Sequence, residues 1–303
     1  LRAAGISKSI FCLGGFWPAQ AEALIAHNLT PALFRLDAAA ALNEAARAHG
    51  GTINVHVKVD TGMGRFGLPL NDLAAFAEAF KQFTHLKLDG LMTHLAGADD
   101  ADSAYTELQL ARYDDALALL RARGFDPTWR HLANSAGMHG YAAARGTLVR
   151  VGALLYGLTR DILKPGAMPP DVRPVLSLHS RIAWLKTVPA GTAIGYGSTF
   201  VTQRESRIAT IPIGYADGLR RDLSNRGRVL VRGYFAPIVG RVSMDLTTLD
   251  VTAVPGVALD DEAVLLGASG DLSITAEEIA AQLGTVSYEI ITGISARVPH
   301  VYR

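Results

Sequence analysis

Short apolar segments that alternate with helical patterns are the feature that most limits what this chain can fold into. The strand-like segments of its first half are residues 9–15, 30–36, 53–60, 86–96, 129–135 and 148–157. Amphipathic patterns with a period near 3.6 residues separate them. Strands that alternate with helices predict a parallel sheet, either doubly wound or closed as a βα barrel.

Polar caps and glycines predict the ends of the helices in this half. Asp37 caps a helix that ends at Gly50, and Asn71 caps the next one. A third helix covers residues 103–123 and stops before Gly124. Each of these helices connects two predicted strands, as a βα repeat requires.

The pattern changes after a proline-rich stretch, Pro165 to Pro174, which reads as a linker. Five strand-like segments separated by turns follow, and one late helix begins at the capping box formed by Thr275 and Glu278 and ends at Gly284. The sequence therefore predicts a βα-barrel domain over residues 1–165 and a mostly β domain over residues 166–303.

Charge and cysteine content narrow the class of partner. The formal net charge is +1 over 303 residues, which disfavours binding to nucleic acid through bulk charge. The single cysteine, Cys12, suits a reducing compartment, and no segment reads as a membrane span or signal peptide. We expect a cytoplasmic protein with a small-molecule partner, and the first residue, Leu1, suggests a fragment or a processed chain.

The glycine triplet Gly62-x-Gly64-x-x-Gly67 raises the question of a dinucleotide-binding loop. Such a loop lies between a buried strand and the start of a helix. Here the helix cap, Asn71, comes after the last glycine, so the helix does not begin at the loop. The spacing disfavours a nicotinamide cofactor, and the alternative is a connecting loop with glycines at positive φ.

Polar residues follow four successive predicted strands. In chain order they are Lys58 with Arg65, Thr93 with His94, His131 with Asn134 and Ser135, and Arg150 with Gly152. Catalytic groups of βα barrels cluster at the carboxyl ends of the strands, and the last two exits commonly hold a phosphate. The histidines lack metal-site spacing, so we expect no metal.

Two tyrosines in the second half lie in glycine-flanked turns, Tyr196 in AIGYGSTF and Tyr215 in IPIGYADG. Such a tyrosine is usually part of a turn, although its hydroxyl can also reach a ligand. The segments HVKVDTGMGRFG, THLAGAD, HLANSAG, VRVGALLYG, AIGYGSTF, IPIGYADG, APIVGRVSMD, SYEI and ISARVPH, in this order, resemble the alanine racemases. That family uses pyridoxal phosphate and has a βα barrel followed by a β domain.

The resemblance implies roles for the residues that match its motifs. Arg150 would donate to the pyridine nitrogen of the cofactor, His131 would orient Arg150, and His94 would lie near the ring. A cation at that nitrogen suits racemisation better than transamination, because it weakens the ring as an electron sink. The residues expected on or near the phosphate are Ser135, Gly152, Ala153, Tyr215 and Tyr288.

Further roles concern the substrate. Arg65 would contact the cofactor's phenolic oxygen and the substrate carboxylate, and Met244 would meet the substrate through its backbone. Lys58 would carry a carbamate that orients Arg65. Tyr196 would take the α proton of L-alanine, one of two opposed bases. In the family, Tyr196 and Met244 come from the partner subunit, so a homodimer is implied.

The second base should be a Schiff-base lysine near the end of the first barrel strand, in a motif that the sequence lacks. None of its six lysines has that neighbourhood. We therefore expect an incomplete barrel without its first two strands and an inactive chain. The alternatives are another amino-acid racemase or a decarboxylase of the same fold, or a non-catalytic relative that retains a ligand pocket or a dimer interface. Arg150 argues against a decarboxylase, which would pair the pyridine nitrogen with an acid.

Overall fold

The computed structural model describes residues 1–302 and divides into two compact units. Unit 1 comprises Leu1–Gly152 and Ile162–Met168, and unit 2 comprises Ala153–Asp161 and the chain from Pro169 onward. The predicted boundary at residue 165 falls in the stretch where the chain passes from one unit to the other and back.

Unit 1 is built from strands that alternate with helices. Its strands are β1 Ile10–Cys12, β2 Leu29–Leu33, β3 Ile53–Asp60, β4 Leu68–Pro69, β5 Leu86–Met92 and β6 Trp129–His131. Its helices are α1 Ala21–Ala26, α2 Leu36–Ala48, α3 Leu73–Phe80, α4 Ala104–Ala122 and α5 Ser135–Gly140. The predicted alternation is thus confirmed.

The strands of unit 1 form one parallel sheet in the order β1-β2-β3-β5-β6, with the short β4 paired to β3. The result is a half-barrel, with β1 and β6 at the two ends of this order. In β3 only Asn54 is exposed, and only Asp60 is partly exposed. Burial on both faces is typical of a central parallel strand flanked by helices, and all carboxyl ends of the sheet lie at one edge.

The predicted strand at residues 148–157 is wrong. Its backbone makes only a few hydrogen bonds to the edge strand β6 and the residues after β6. Thr147 N and Leu148 N donate to Arg130 O, and Arg150 N donates to Ala133 O. Residues Ala153–Tyr156 then turn into a short 3-10 helix. With so few ladder bonds the segment stays irregular, although it still brings Arg150 beside the carboxyl end of β6.

Two predicted caps are also wrong. Arg35 precedes α2, and the carboxylate of Asp37 pairs with Arg35 inside the first turn. Asp72 precedes α3, because Asn71 lies in a short 3-10 turn before it. In both cases the helix begins one or two residues from the predicted cap without a side-chain capping bond. The helix predicted at 103–123 is confirmed as α4.

Unit 2 is mostly antiparallel β structure. Its strands are β7 Leu178–Arg181, β8 Trp184–Val188, β9 Ala193–Ile194, β10 Phe200–Val201, β11 Ser206–Ile211, β12 Arg228–Val231, β13 Tyr234–Pro237, β14 Thr247–Asp250, β15 Glu262–Ser269 and β16 Leu272–Ile274. They form a five-stranded sheet around β15, a three-stranded sheet β14-β11-β8 and the pair β9-β10.

Two helices end the second half, α6 Ala276–Leu283 and α7 Ser287–Thr292. The predicted capping of α6 is confirmed, since Thr275 Oγ1 accepts a hydrogen bond from Glu278 N at 3.1 Å and Gly284 ends the helix at φ 71°. None of the helices in residues 1–302 has the length and apolar character needed to cross a membrane.

Candidate active site

Arg150 is the centre of a polar cluster at the carboxyl edge of the unit 1 sheet. Its Nη1 donates to His131 O at 2.9 Å and to His131 Nδ1 at 3.0 Å. Its Nη2 donates to Thr93 O at 2.8 Å and to Leu132 O at 3.0 Å. Burial lowers the pKa of Arg150 to about 10, so the guanidinium stays charged at neutral pH. The structure thus places His131 in direct contact with Arg150, the residue that it is expected to orient.

His131 is fully buried and joins Arg150 to a second histidine. Its Nε2 lies 2.8 Å from Nδ1 of His56, which is 5% exposed. Burial, followed by the charge of Arg150, lowers the pKa of His131, and burial lowers the pKa of His56 to about 4. Both rings are therefore neutral at pH 7. Sequence reasoning assigned no role to His56.

His94 lies at the end of β5, half-buried, with its Nδ1 3.4 Å from Arg150 Nη2. Burial and the nearby charges of Arg150, Arg65 and Lys58 lower the pKa of His94 to about 4. The structure thus places a neutral imidazole within a group of cations. This edge of the sheet favours an anionic ligand.

Lys58 is 6% exposed, in β3, with its Nζ 5.7 Å from the centre of the Phe66 ring. Burial lowers its pKa, as do the charges of Arg65 and Arg150, whereas Asp60 acts in the opposite direction. Burial and the nearby positive charges thus both favour the neutral form of the Lys58 amine. Lys58 and Arg65 thus share one electrostatic environment with Arg150.

The loop that carries Arg65 is held by Asp60. The Asp60 carboxylate accepts backbone N–H bonds from Gly62, Met63 and Gly64 at 2.8–3.1 Å. At Gly67 the backbone has φ +139°, and a Cβ there would lie 2.7 Å from Asp60 N. The glycines therefore shape a tight loop at the end of β3. This matches the connecting loop with glycines at positive φ, the alternative to a dinucleotide-binding loop.

Gln109 on helix α4 is a further residue that sequence reasoning missed. Its side chain is fully buried, accepts from Ala96 N at 2.8 Å, and donates to His94 O and Thr61 Oγ1, each at 3.1 Å. The same helix face contributes Tyr105, which donates to Gly62 O at 2.7 Å. Polar residues at helical spacing usually indicate a solvated face, but here they bind the exits of β3 and β5.

Replacing Gln109 by leucine should lower the free energy of unfolding by about 2–4 kcal/mol, since each buried polar group left unpaired costs about 1–3 kcal/mol. Urea unfolding followed by circular dichroism measures this change. The control is Gln82→Leu at an exposed position just after α3, where we expect a change within about 0.5 kcal/mol. Equal effects of the two substitutions would contradict the anchoring role.

The pair Ser135 and Gly152 forms a second polar position in unit 1. Gly152 N donates to Ser135 Oγ at 3.1 Å, which joins the first residue of α5 to the loop after Arg150. Asn134 caps α5 by accepting a bond from Gly137 N at 2.9 Å. Ser135 and Gly152 thus lie within hydrogen-bond distance of each other, and the next residue, Ala153, is buried in unit 2.

Unit 2 brings together the segments of Tyr215 and Met244. Tyr215 N donates to Ser243 O, and Ala216 N donates to Met244 O, both at 3.0 Å. Tyr196 is 73% exposed in a turn between Gly195 and Gly197, both at positive φ. Tyr288 lies in α7 and is exposed. The tyrosines predicted for the site therefore lie on separate elements of this unit.

Comparisons with known proteins agree along the chain. The family model for the N-terminal domain of alanine racemase matches residues 1–160, and the model for the C-terminal domain matches residues 175–302. An alanine racemase of Syntrophobacter fumaroxidans is 49% identical over 97% of this chain and 78% of its own length. An alanine racemase of Halothermothrix orenii is 44% identical over the whole chain and 79% of its own length.

Solved structures show the same similarity. The crystal structure of alanine racemase from Streptomyces lavendulae matches with a TM-score of 0.90 and 36% identity, over 100% of this chain and 80% of that one. The alanine racemase of Bacillus anthracis with bound L-Ala-P matches with a TM-score of 0.89 and 35% identity, over 98% and 76%. The chain therefore belongs to the alanine racemase family of isomerases.

Proposed function

We propose that this protein interconverts L- and D-alanine with pyridoxal phosphate as cofactor. The observation that carries the proposal is the state of Arg150. Its four Nη hydrogens are directed at three backbone carbonyls and His131, whereas its Nε–H forms no hydrogen bond within residues 1–302. A fixed guanidinium with one remaining donor suits the pyridine nitrogen of the cofactor.

The other end of the cofactor is a phosphate, and the Ser135–Gly152 pair fits it. A Cβ built on Gly152 would meet no atom within 4 Å, so there is open space beside its Cα, and its N–H donates to the Ser135 hydroxyl. Backbone N–H groups and hydroxyls are the usual phosphate donors of barrel enzymes. We assign Ala153, Tyr215 and Tyr288 to the same phosphate because they match the family's motifs.

When bound, pyridoxal phosphate supplies the electron sink for a carbanion at the substrate α carbon. Arg150 would donate to its pyridine nitrogen and keep that nitrogen unprotonated, which disfavours the decarboxylase alternative. His94 would lie beside the ring as a neutral imidazole. Arg65 would bind the substrate carboxylate and the phenolic oxygen, and Met244 would bind the substrate through its backbone.

Tyr196 is the base that this chain would supply. Its hydroxyl oxygen would take the α proton of L-alanine, and a lysine on the opposite face would deliver a proton for inversion. None of the six lysines of the sequence lies in the family's lysine motif. We therefore propose that this polypeptide by itself exchanges the α proton without inverting alanine, and that it forms a homodimer in which Tyr196 and Met244 serve the partner's site.

The proposal also covers the complete barrel, the domain boundary and the cellular location. We interpret the half-barrel as part of an eight-stranded βα barrel whose first two strands are not in this sequence, and place the domain boundary after residue 165. A cytoplasmic location fits the single, half-buried cysteine, Cys12.

Lys58 would act through a carbamate. A neutral Nζ attacks the carbon of CO2, the N–C bond forms, and one N–H proton passes to solvent, which leaves a negative charge. The Asp60 carboxylate is a poorer partner for Arg65 than the carbamate would be, because it already accepts hydrogen bonds from the backbone N–H groups of residues 62–64. The carbamate would then hold Arg65 by charge.

The expected result with ¹³C-labelled bicarbonate at pH 8 is one carbamate carbon resonance per chain. Burial and the charges of Arg65 and Arg150 lower the pKa of Lys58, which raises its reactive neutral fraction at this pH. The resonance should vanish in Lys58→Arg and persist in Lys81→Arg, where the exposed Lys81 pairs with Glu78. A resonance that survives Lys58→Arg would refute the assignment.

The substrate is tested by α-proton exchange in D2O. The protein is loaded with pyridoxal phosphate and incubated separately with L-alanine, L-lysine and L-arginine, and proton NMR follows the α signal against free cofactor. We expect alanine to exchange fastest. Faster exchange of a basic amino acid would favour the other racemases, and no exchange above free cofactor would favour a non-catalytic relative.

A further inference from the structure

His56 lies behind the Arg150–His131 pair, and the hydrogen-bond directions along these three residues are fixed by chemistry. A guanidinium only donates, so His131 Nδ1 must accept from Arg150 Nη1 at 3.0 Å. A neutral His131 then carries its proton on Nε2, which lies 2.8 Å from His56 Nδ1. His56 must therefore accept at Nδ1 and carry its own proton on Nε2.

The fold is shaped to hold the His56 ring in this place. Gly90 is on β5, next to β3, and a Cβ at Gly90 would lie 2.3–2.6 Å from three atoms of that ring. No left-handed φ requires glycine there, so the requirement is one of space. The β3–β5 register shifts between Val55 and His56, and the Phe11 ring lies 4.5 Å from the His56 ring.

We propose that His56 is a positioning residue that, together with Arg150, holds His131 in its Nε2–H tautomer and thereby keeps the His131 Nδ1 lone pair on Arg150. The assignment of the His131 tautomer follows from the geometry alone, whereas the effect of this tautomer on cofactor binding by Arg150 rests on the proposed function. The neutral state of both rings, caused mainly by burial, agrees with it. Without an acceptor at position 56, the His131 proton could move to Nδ1, where it would oppose the Arg150 donor.

The first test needs neither cofactor nor substrate. Long-range ¹H–¹⁵N NMR of the histidine-labelled protein at pH 7 reports which ring nitrogen bears the proton, and His131→Gln and His56→Gln assign the two signals among the nine histidines. We expect both rings to be neutral with the proton on Nε2. A protonated Nδ1 on His131 would overturn the proposal.

The second test uses His56→Phe, which keeps a ring but removes the acceptor, and His56→Gln, whose amide oxygen restores one. In the phenylalanine variant we expect the His131 proton to distribute between both nitrogens. We also expect pyridoxal phosphate affinity, measured by absorbance titration, to fall on the order of tenfold, a typical effect of losing a supporting partner. The glutamine variant should recover most of it.

His49→Phe is the matched control, because His49 is exposed and its Nε2 pairs with Glu22 at 2.8 Å. An unchanged His131 tautomer and unchanged cofactor affinity in His56→Phe would show that His56 only fills space, and would overturn the proposal. Failure of the proposed function appears differently: alanine would not exchange, while the wild-type tautomers would remain as stated.

Discussion

Replacing Arg150 by alanine should lower the free energy of unfolding by about 3–5 kcal/mol, one of the two largest effects expected for a single substitution in this chain. The guanidinium binds the carbonyls of Thr93, His131 and Leu132 in a buried setting. Its loss removes the donor to Thr93 O, Leu132 O and His131 Nδ1, whereas His131 O keeps its bond from Thr93 N at 3.2 Å. Urea unfolding of the protein without cofactor measures the change.

Two variants separate this effect from the loss of charge. Arg150→Lys keeps the charge but offers one nitrogen in place of a planar fork, so we expect most of the destabilisation to remain. Arg145→Ala removes an exposed guanidinium whose Nε donates to Met138 O at 3.0 Å, and should cost less than about 1 kcal/mol. A similar small cost for Arg150→Ala would refute its central place in the cluster.

Replacing Tyr196 by phenylalanine should slow α-proton exchange of L-alanine by between about 100- and 10,000-fold, the range that a positioned acid–base group contributes. Tyr196 is 73% exposed, so loss of its hydroxyl should leave stability nearly unchanged. The exchange rate is measured in D2O with pyridoxal phosphate, and cofactor absorbance verifies equal loading of both proteins.

The control is Tyr234→Phe, since Tyr234 is also exposed in unit 2 but lies in strand β13. It should exchange alanine at the wild-type rate. If Tyr196→Phe also did so, the α proton would be taken by another group, and the assignment of Tyr196 as a base would be wrong.

The sequence was sufficient to predict β3 and β5, because a long apolar run bounded by glycines and polar residues is compatible with few structures other than a buried strand. It failed at residues 148–157, where an equally apolar run forms no strand. Whether a segment joins a sheet depends on the ladder that its neighbour offers, and β6 is only three residues long. That property is not local to the segment.

The site was predicted in part for a related reason. His131 and His94 lie at the ends of β6 and β5, where βα topology brings side chains together, and the irregular segment after them places Arg150 beside them. His56 was missed because one histidine inside an apolar strand reads as core. The signal that could have revealed it is that a polar ring in a strand buried on both faces needs a hydrogen-bond partner.

Gln109 was missed because its helix has polar residues around much of its circumference, as solvated helices do. Only the structure shows which of them bind the exits of β3 and β5. Asp37 and Asn71 show the converse, since both residue types favour helix caps and neither caps here. The preference of a residue type for helix caps does not fix the boundary, since the helices here begin after the nearby residues Arg35 and Asp72.

In the proposed function, this polypeptide carries one of the two bases of an alanine racemase, Tyr196, and a cofactor site organised by Arg150. The most direct measurement is incubation of the 303-residue protein with pyridoxal phosphate and L-alanine in D2O, with proton NMR for exchange and chiral chromatography for configuration. We expect deuterium to enter the α carbon faster than with free cofactor, in alanine that keeps the L configuration. D-alanine formed as fast as deuterium enters, or exchange no faster than with free cofactor, would contradict it.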